Sequence, residues 1–466
     1  MAPGNDAKLT RLRDLLPGAI YLPADSDPAL TTVRTDAAAV QPGDLYVHLD
    51  PFDSTDAEIA VIRGAAAVIT ERLLPDVPVP LVLVDDGFAA CAELTAAMAP
   101  IRSTLPTIVS VGGVTGACRV ATIVAAIHAH AGERVGLLTE SCDDDGEHCL
   151  PRDQRSKDAA SRWLRRCELG DVTTAIAQTV AGEQAGATPL VACLVSLRCD
   201  GLDNLGRPCW ESNAAHRRAV VDSLGELDAG VTLVVNADDS ECIRVASTHT
   251  GRVLTFGESG TADIRVVPVE SHAAGQTLIV AVGSDSACVA IGSPGRAARR
   301  DAAAAIAAAL AVGFDLQTAV RGVDLSPCVP GALSPVPCGQ AFSVYIDNAV
   351  RPTDLADAFD GARGKGRLLA VVKLADSAIV ALRQLSAASQ LADRVFAHGR
   401  VELEDDTPAG VTVVEDRLSA IAVAIGLADE GDSVLVAGSH DEKSDRQLIT
   451  KLLRRRLECE DRRAAA

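Results

Sequence analysis

Three features of this 466-residue chain predict an α/β protein built on mostly parallel sheets. Short β-branched apolar runs alternate with Ala-rich helical stretches, and Gly or Pro separates them. The alternation recurs along the whole length, as in open sheets covered by helices on both faces. Finally, the stretch 107–122, TIVSVGGVTGACRVAT, sets a glycine turn (Gly112, Gly113, Gly116) between a buried-type strand and a helix expected over 121–131.

The elements fall into three regions. Residues 1–106 carry expected strands at 45–49, 64–69 and 80–84, a long helix at 89–99 and a linker at 100–106. Residues 107–331 continue with strands at 107–111, 135–138, 190–195, 231–235, 253–256 and 278–282, the last read as an antiparallel extension, and a long helix at 296–312. Residues 332–466 form a second compact α/β unit, with strands at 342–346, 367–372, 394–397 and 433–436 and helices at 353–359, 377–392 and 417–427. Each region is long enough to bury its own core.

Composition narrows the function. The net charge of −20 opposes non-specific attraction to nucleic acid or to an anionic membrane, and the basic run Lys451–Arg456 reads as the solvated face of a last helix. The N-terminal residues lack the apolar core of a signal peptide, and the longest apolar stretch, 302–313, is too short to span a bilayer, so a cytoplasmic protein is expected. The 13 cysteines, with no Cys-x-x-Cys pair, read as reduced small core residues. Cys142-Asp-Asp-Asp-Gly-Glu-His-Cys149 is dense in metal-ligand types, but no second ligand pair accompanies it, and an acidic surface loop is the simpler reading. The same holds for Glu140 and the 143–145 carboxylates as a general-base cluster.

A strand–glycine turn–helix junction gathers backbone N–H groups around a phosphate. A working phosphate loop also supplies a lysine for the β/γ-phosphates and a hydroxyl for Mg²⁺. The matching positions here are Val120 and Ala121, and Arg119 crowds a place that normally needs glycine.

Several further segments occur in a fixed order: Val40-Gln-Pro-Gly-Asp-Leu-Tyr-Val47, Arg63-Gly-Ala-Ala-Ala-Val68, Gly113-Val-Thr-Gly116, Val234-Val-Asn-Ala-Asp-Asp239, Pro294-Gly-Arg296, Val329-Pro-Gly331 and Val434-Leu-Val-Ala-Gly438. Along nearly the whole chain this set resembles the Mur ligases of peptidoglycan synthesis, most closely the MurE-like type. The resemblance implies three domains: 1–106 as a UDP-precursor-binding-like domain, 107–331 as an ATPase-like domain with a central P-loop-type sheet, and 332–466 as a Rossmann-like domain. It also implies ATP and Mg²⁺ as cofactors, and a reaction in which a phosphorylated carboxylate is attacked by an amino acid.

The residues that would perform this reaction are largely replaced. The family's metal-binding glutamate falls near Ala177 and its neighbouring histidine on Ala181. In Arg198–Gly206, Asp200 and Asp203 remain as metal candidates, whereas the two histidines have become Gly201 and Leu205. The family's carbamylated lysine falls on His216, the one weak catalytic candidate. Asp347 and Pro352 are kept in the "DYAHTPD" segment, with its histidine lost to Val350, and "GKGHE" is reduced to Gly438-Ser-His-Asp-Glu442. Gly113, Thr115, Gly116, Arg119, Thr122, Asn236, Asp239 and Arg296 mark a vestigial nucleotide site. Asn236 and Asp239 also suit a turn and helix cap, and Arg296 also suits a pairing with Asp301.

The expected function is a non-catalytic family member that binds a UDP-N-acetylmuramoyl-peptide precursor or a protein partner, such as an authentic Mur ligase or another cell-wall enzyme. The alternative is an active ATP-dependent ligase in which Arg119 replaces the lysine, Thr122 holds Mg²⁺, and Asp200, Asp203 and His216 bind a second metal.

Overall fold

The computed structural model describes residues 12–29, 32–49, 54–75, 77–87, 90–91, 94, 105–140, 142–151, 159–179, 188–198, 212–225, 227–272, 275–326, 329, 332–401, 407–439 and 441–464. They divide into two compact units, one drawn mainly from 1–108 and 133–177 and the other from 109–132 and 188–466. The helix expected at 89–99 lies mostly outside the described residues.

In the first unit, a five-stranded sheet runs in the order Ile20–Leu22, Leu81–Leu83, Ala67–Thr70, Leu45–His48, Val33–Arg34, parallel except at its first pair. Side chains alternate across it. Leu45, Val47, Ile69 and Val82 pack on one face with Leu12 and Leu150, and Tyr46, Val68 and Leu81 pack on the other with Ala57 and Ala60. Both faces of the central strands Leu45–His48 and Ala67–Thr70 are buried, which accounts for their mostly apolar sequences. The same unit holds the parallel pair Val135–Leu138 and Thr174–Thr179. It also holds an antiparallel ribbon of Cys142–Asp144 and Cys149–Pro151, beside the helix Ala159–Leu169. This ribbon corrects the reading of 142–149 as an acidic surface loop. Asp143 and Asp145 are buried, and both pair with the buried Arg166, the latter at 2.8 Å. The charges are satisfied by a helix more than 20 positions away.

In the second unit, strands Thr107–Gly112, Val191–Leu194, Thr232–Asn236, Val253–Gly257 and Ile264–His272 lie parallel in that order. Gly275–Val282 and Asp285–Ile291 extend the sheet antiparallel, as expected for 278–282. The helix after the glycine turn begins at Ala117, four residues earlier than expected. A six-stranded sheet follows, ordered Ser334–Pro335, Ser343–Ile346, Ser433–Val436, Leu368–Lys373, Arg394–His398, Val411–Val413, and only its first strand is antiparallel. Separate cores cover its two faces, one around Leu368, Ala370 and Leu435, the other around Leu369, Val371 and Val434. This is the doubly wound, Rossmann-like arrangement. The helix Arg296–Val312 meets the helix Pro352–Ala362 where Gly295, at φ +90°, faces Gly361. A Cβ on Gly295 would lie 2.5 Å from the Gly361 Cα, so no side chain fits between them.

The cysteines are more varied than expected. Among those described, Cys91, Cys167, Cys193 and Cys242 are buried, but Cys149, Cys288 and Cys459 are exposed. No described helix is long and apolar enough to cross a membrane.

Candidate nucleotide-loop site

The glycine loop leaves the end of strand Thr107–Gly112 and enters the helix Ala117–His130. Its backbone is tied to the neighbouring strand end: Val195 N–H donates to the Gly112 carbonyl, and Val114 N–H donates to the Ser196 carbonyl. Gly116 caps the helix in the left-handed region, at φ +83°. A Cβ there would stand 2.5 Å from Asp301 Oδ1 and 2.9 Å from Arg300 Nη2. Glycine is therefore required twice over, by conformation and by the ion pair pressed against it.

That ion pair dominates the site. Asp301, on the helix Arg296–Val312, is 1 % exposed. Arg119 Nε donates to its Oδ2 at 2.5 Å, and Arg300 donates to its Oδ1 at 3.1 Å through both Nε and Nη2. Arg300 Nη1 also reaches Asp357 at 3.0 Å. Arg351 binds Asp354 through Nε at 2.7 Å and Nη2 at 3.0 Å, and its Nη2 also donates to the Val114 carbonyl of the loop. Three guanidinium groups (Arg119, Arg300, Arg351) thus face three carboxylates (Asp301, Asp354, Asp357). The positive charge that could meet a triphosphate is already neutralised from within the protein.

The remaining sequence candidates occupy structural positions. Val120 and Ala121, at the family's lysine and hydroxyl positions, are fully buried. Thr122 Oγ1 donates to the Cys118 carbonyl at 2.9 Å, the i−4 bond common for helical threonines. Thr115 is buried. Gly113 approaches the next strand so closely that a Cβ would lie 3.1 Å from the Ser196 nitrogen. Asn236 donates to the Val195 carbonyl and accepts from Asp238 N–H. Asp239 caps the helix Ser240–Ala246 through Glu241 N–H and also accepts from Leu197 N–H at 2.9 Å.

The suggested Arg296–Asp301 pairing does not form. Arg296 is exposed and gives only its backbone N–H to Asp360, because residues five apart on a helix point in different directions. His216 is buried, and burial pushes its pKa down against the opposing Leu197 main chain. Asp200 and Asp203 lie outside the described residues. Ala177 is a fully buried strand residue. Sequence reasoning named Asp301 but gave it to Arg296, and it missed Arg300, Arg351, Asp354 and Asp357 altogether. The one available signal for Asp301 was an acidic residue at a fully apolar helix position, among alanines.

Asp347, at the end of strand Ser343–Ile346, accepts 2.8 Å bonds from Leu333 and Ala349 N–H. It thereby holds Leu333 at φ +52°, a costly conformation for a leucine. Burial pushes its pKa up to about 7, against the Arg119 charge and these N–H groups. Because this folded value exceeds the unfolded 3.8, the contribution is fully present below pH 3.8 and is lost as pH rises through about 7. Urea titrations from pH 4 to 9 are therefore expected to show wild type losing up to about 4 kcal/mol relative to Asp347→Asn. A pH-independent difference between the two would remove this assignment.

Comparisons with known proteins agree on one group. Over 468 aligned residues the chain is 28% identical to UDP-N-acetylmuramoyl-L-alanyl-D-glutamate--2,6-diaminopimelate ligase of Geobacillus kaustophilus, covering 93% of this chain and 94% of that one. The same enzyme of Listeria monocytogenes is 25% identical over 445 residues, with 89% and 90% covered. Among solved structures, MurF from Acinetobacter baumannii superposes with a TM-score of 0.64 at 17% identity, over 96% of this chain and 99% of that one. No family model matches the chain.

Proposed function

We propose, from the premise that this chain belongs to the MurE-like group of the Mur-ligase family, that it is a non-catalytic member. It acts in peptidoglycan-precursor synthesis as a scaffold that binds a UDP-N-acetylmuramoyl-peptide or a protein partner. The observation that carries this reading is the closed ion-pair network of Arg119, Arg300 and Asp301 against the glycine loop.

Phosphoryl transfer depends almost entirely on positioning and on neutralising charge at the transferred group. Loss of a single electrostatic donor costs roughly 3–4 kcal/mol of transition-state stabilisation. Here the lysine position is a buried valine, the hydroxyl of Thr122 is committed to its own helix, and Arg119 is committed to Asp301. Binding a triphosphate would require separating Arg119 and Arg300 from a buried carboxylate. The cost of leaving that carboxylate unpaired exceeds what a rim contact returns. The apolar cores of both units are meanwhile fully formed, which supports continued use of the fold for binding. Authentic Mur ligases and other cell-wall enzymes are the partners this reading implies.

The test is calorimetric titration and thermal shift of the full chain with ATP–Mg²⁺ and with UDP-N-acetylmuramoyl peptides, since a ligand bound only by the native state raises Tm by mass action. The expected result is no saturable Mg²⁺-dependent ATP response. Saturable ATP–Mg²⁺ binding abolished by Arg119→Ala would overturn the proposal and favour an active ligase with a rebuilt phosphate site.

A further inference from the structure

We infer that Cys142, Asp144 and Cys149 form a binding site for a borderline-soft divalent cation of the zinc class, on the outer face of the ribbon in the first unit.

Register brings the three together. Asp144 is the direct cross-strand partner of Cys149, and Cys142 lies two residues before Asp144 on the same strand. Side chains alternate along a strand, so all three project from one face, while Asp143 projects from the other. Their ligand atoms lie within 4.8 Å of one another, and the two Sγ atoms are 3.1 Å apart. Zinc bonds sulfur at about 2.3 Å in a tetrahedron, so bound thiolates stand roughly 3.7 Å apart. Admitting the ion therefore requires a separation of only about half an ångström, within reach of small side-chain rotations.

The scaffold beneath the site is rigid where a metal site needs it to be. Arg166 binds both Asp143 and Asp145 from below. Trp163 Nε1 donates to the Asp144 carbonyl at 2.8 Å. Gly146, at φ +82°, makes the turn, and its N–H fixes Asp144 Oδ1 at 2.8 Å. Such outer-shell bonds orient a carboxylate ligand. Cys149 is exposed and Cys142 half-buried, so an ion has a route in and a water can complete the coordination.

Two thiols and a carboxylate converge on this face. A dication bound there displaces the thiol protons, as metal binding to thiolates does.

The test uses the full chain, reduced and handled without oxygen, titrated with Co²⁺ and then with Zn²⁺ against a chromophoric chelator. One Co²⁺ per chain with a thiolate-to-cobalt charge-transfer band is expected. Cys142→Ser and Cys149→Ser should each abolish the band, and Asp144→Asn should weaken binding at least about tenfold. Cys288→Ser, an exposed cysteine elsewhere, should leave it unchanged. Unaltered circular dichroism in each variant separates loss of ligation from loss of fold. No band in the reduced wild type, or a band that survives in Cys142→Ser/Cys149→Ser, would overturn the assignment. So would a Cys142–Cys149 disulfide that resists reduction.

Discussion

Asp301→Ala is expected to destabilise the second unit by about 3–5 kcal/mol, read as a lowered urea midpoint at an unchanged m-value. The carboxylate is 1 % exposed and holds two guanidinium groups, Arg119 at 2.5 Å and Arg300 at 3.1 Å. Removing it leaves both cations facing each other across the glycine loop. Arg300 retains Asp357, but Arg119 has no second carboxylate bond among the described residues. The double replacement Arg119→Met with Asp301→Leu is expected to recover most of the loss, because exchanging a buried pair for packed apolar groups is often close to neutral. If Asp301→Ala lowers the stability by less than about 1 kcal/mol, the ion pairs do not hold the loop closed. The site would then be open to a nucleotide.

Val120→Lys, which restores the residue type of a working phosphate loop, is expected to cost more than 4 kcal/mol and to confer no ATP binding. Val120 is fully buried in the first turn of the helix Ala117–His130. An ammonium there would be desolvated and would sit at the positive end of the helix dipole, both unfavourable. Its nearest guanidinium neighbour in sequence, Arg119, adds a like charge. Purified Val120→Lys protein should melt far below wild type or fail to accumulate, and ATP–Mg²⁺ should not rescue it. Rescue by ATP–Mg²⁺ would mean that the loop keeps a phosphate cradle and lacks only its cation.

Much of the fold was legible because its strands are buried on both faces. Runs such as 368–372 and 434–437 are apolar throughout and bounded by charged residues, serine or glycine, and the helix at 296–312 matches the structure end to end. What escaped were elements whose apolar pattern is weak. The strand Thr174–Thr179 carries alanines and threonines, and Val411–Val413 is a mostly exposed edge. The Cys142–Pro151 ribbon hid for a different reason. Asp143 and Asp145 point inward there, and the arginine that neutralises them is visible only in three dimensions. The site divided in the same way. Gly116 and Arg119 stood out locally, whereas the partner of Arg119 is 182 positions away. Helical geometry alone argued against the suggested pairing of Arg296 with Asp301.

The contact of Gly295 with Gly361 carries a consequence for how the second unit comes apart. Backbone touches backbone there, so no rotamer can adjust to take up a small displacement. Around it, Arg296 N–H to Asp360, Arg300 to Asp357 and Arg351 to the Val114 carbonyl span the same seam. A slight parting of the two sheets would break all three together. The sheets have separate cores, yet they share one fate: hydrogen exchange at the seam should report a single cooperative block, with no low-energy opening of one sheet while the other stays folded.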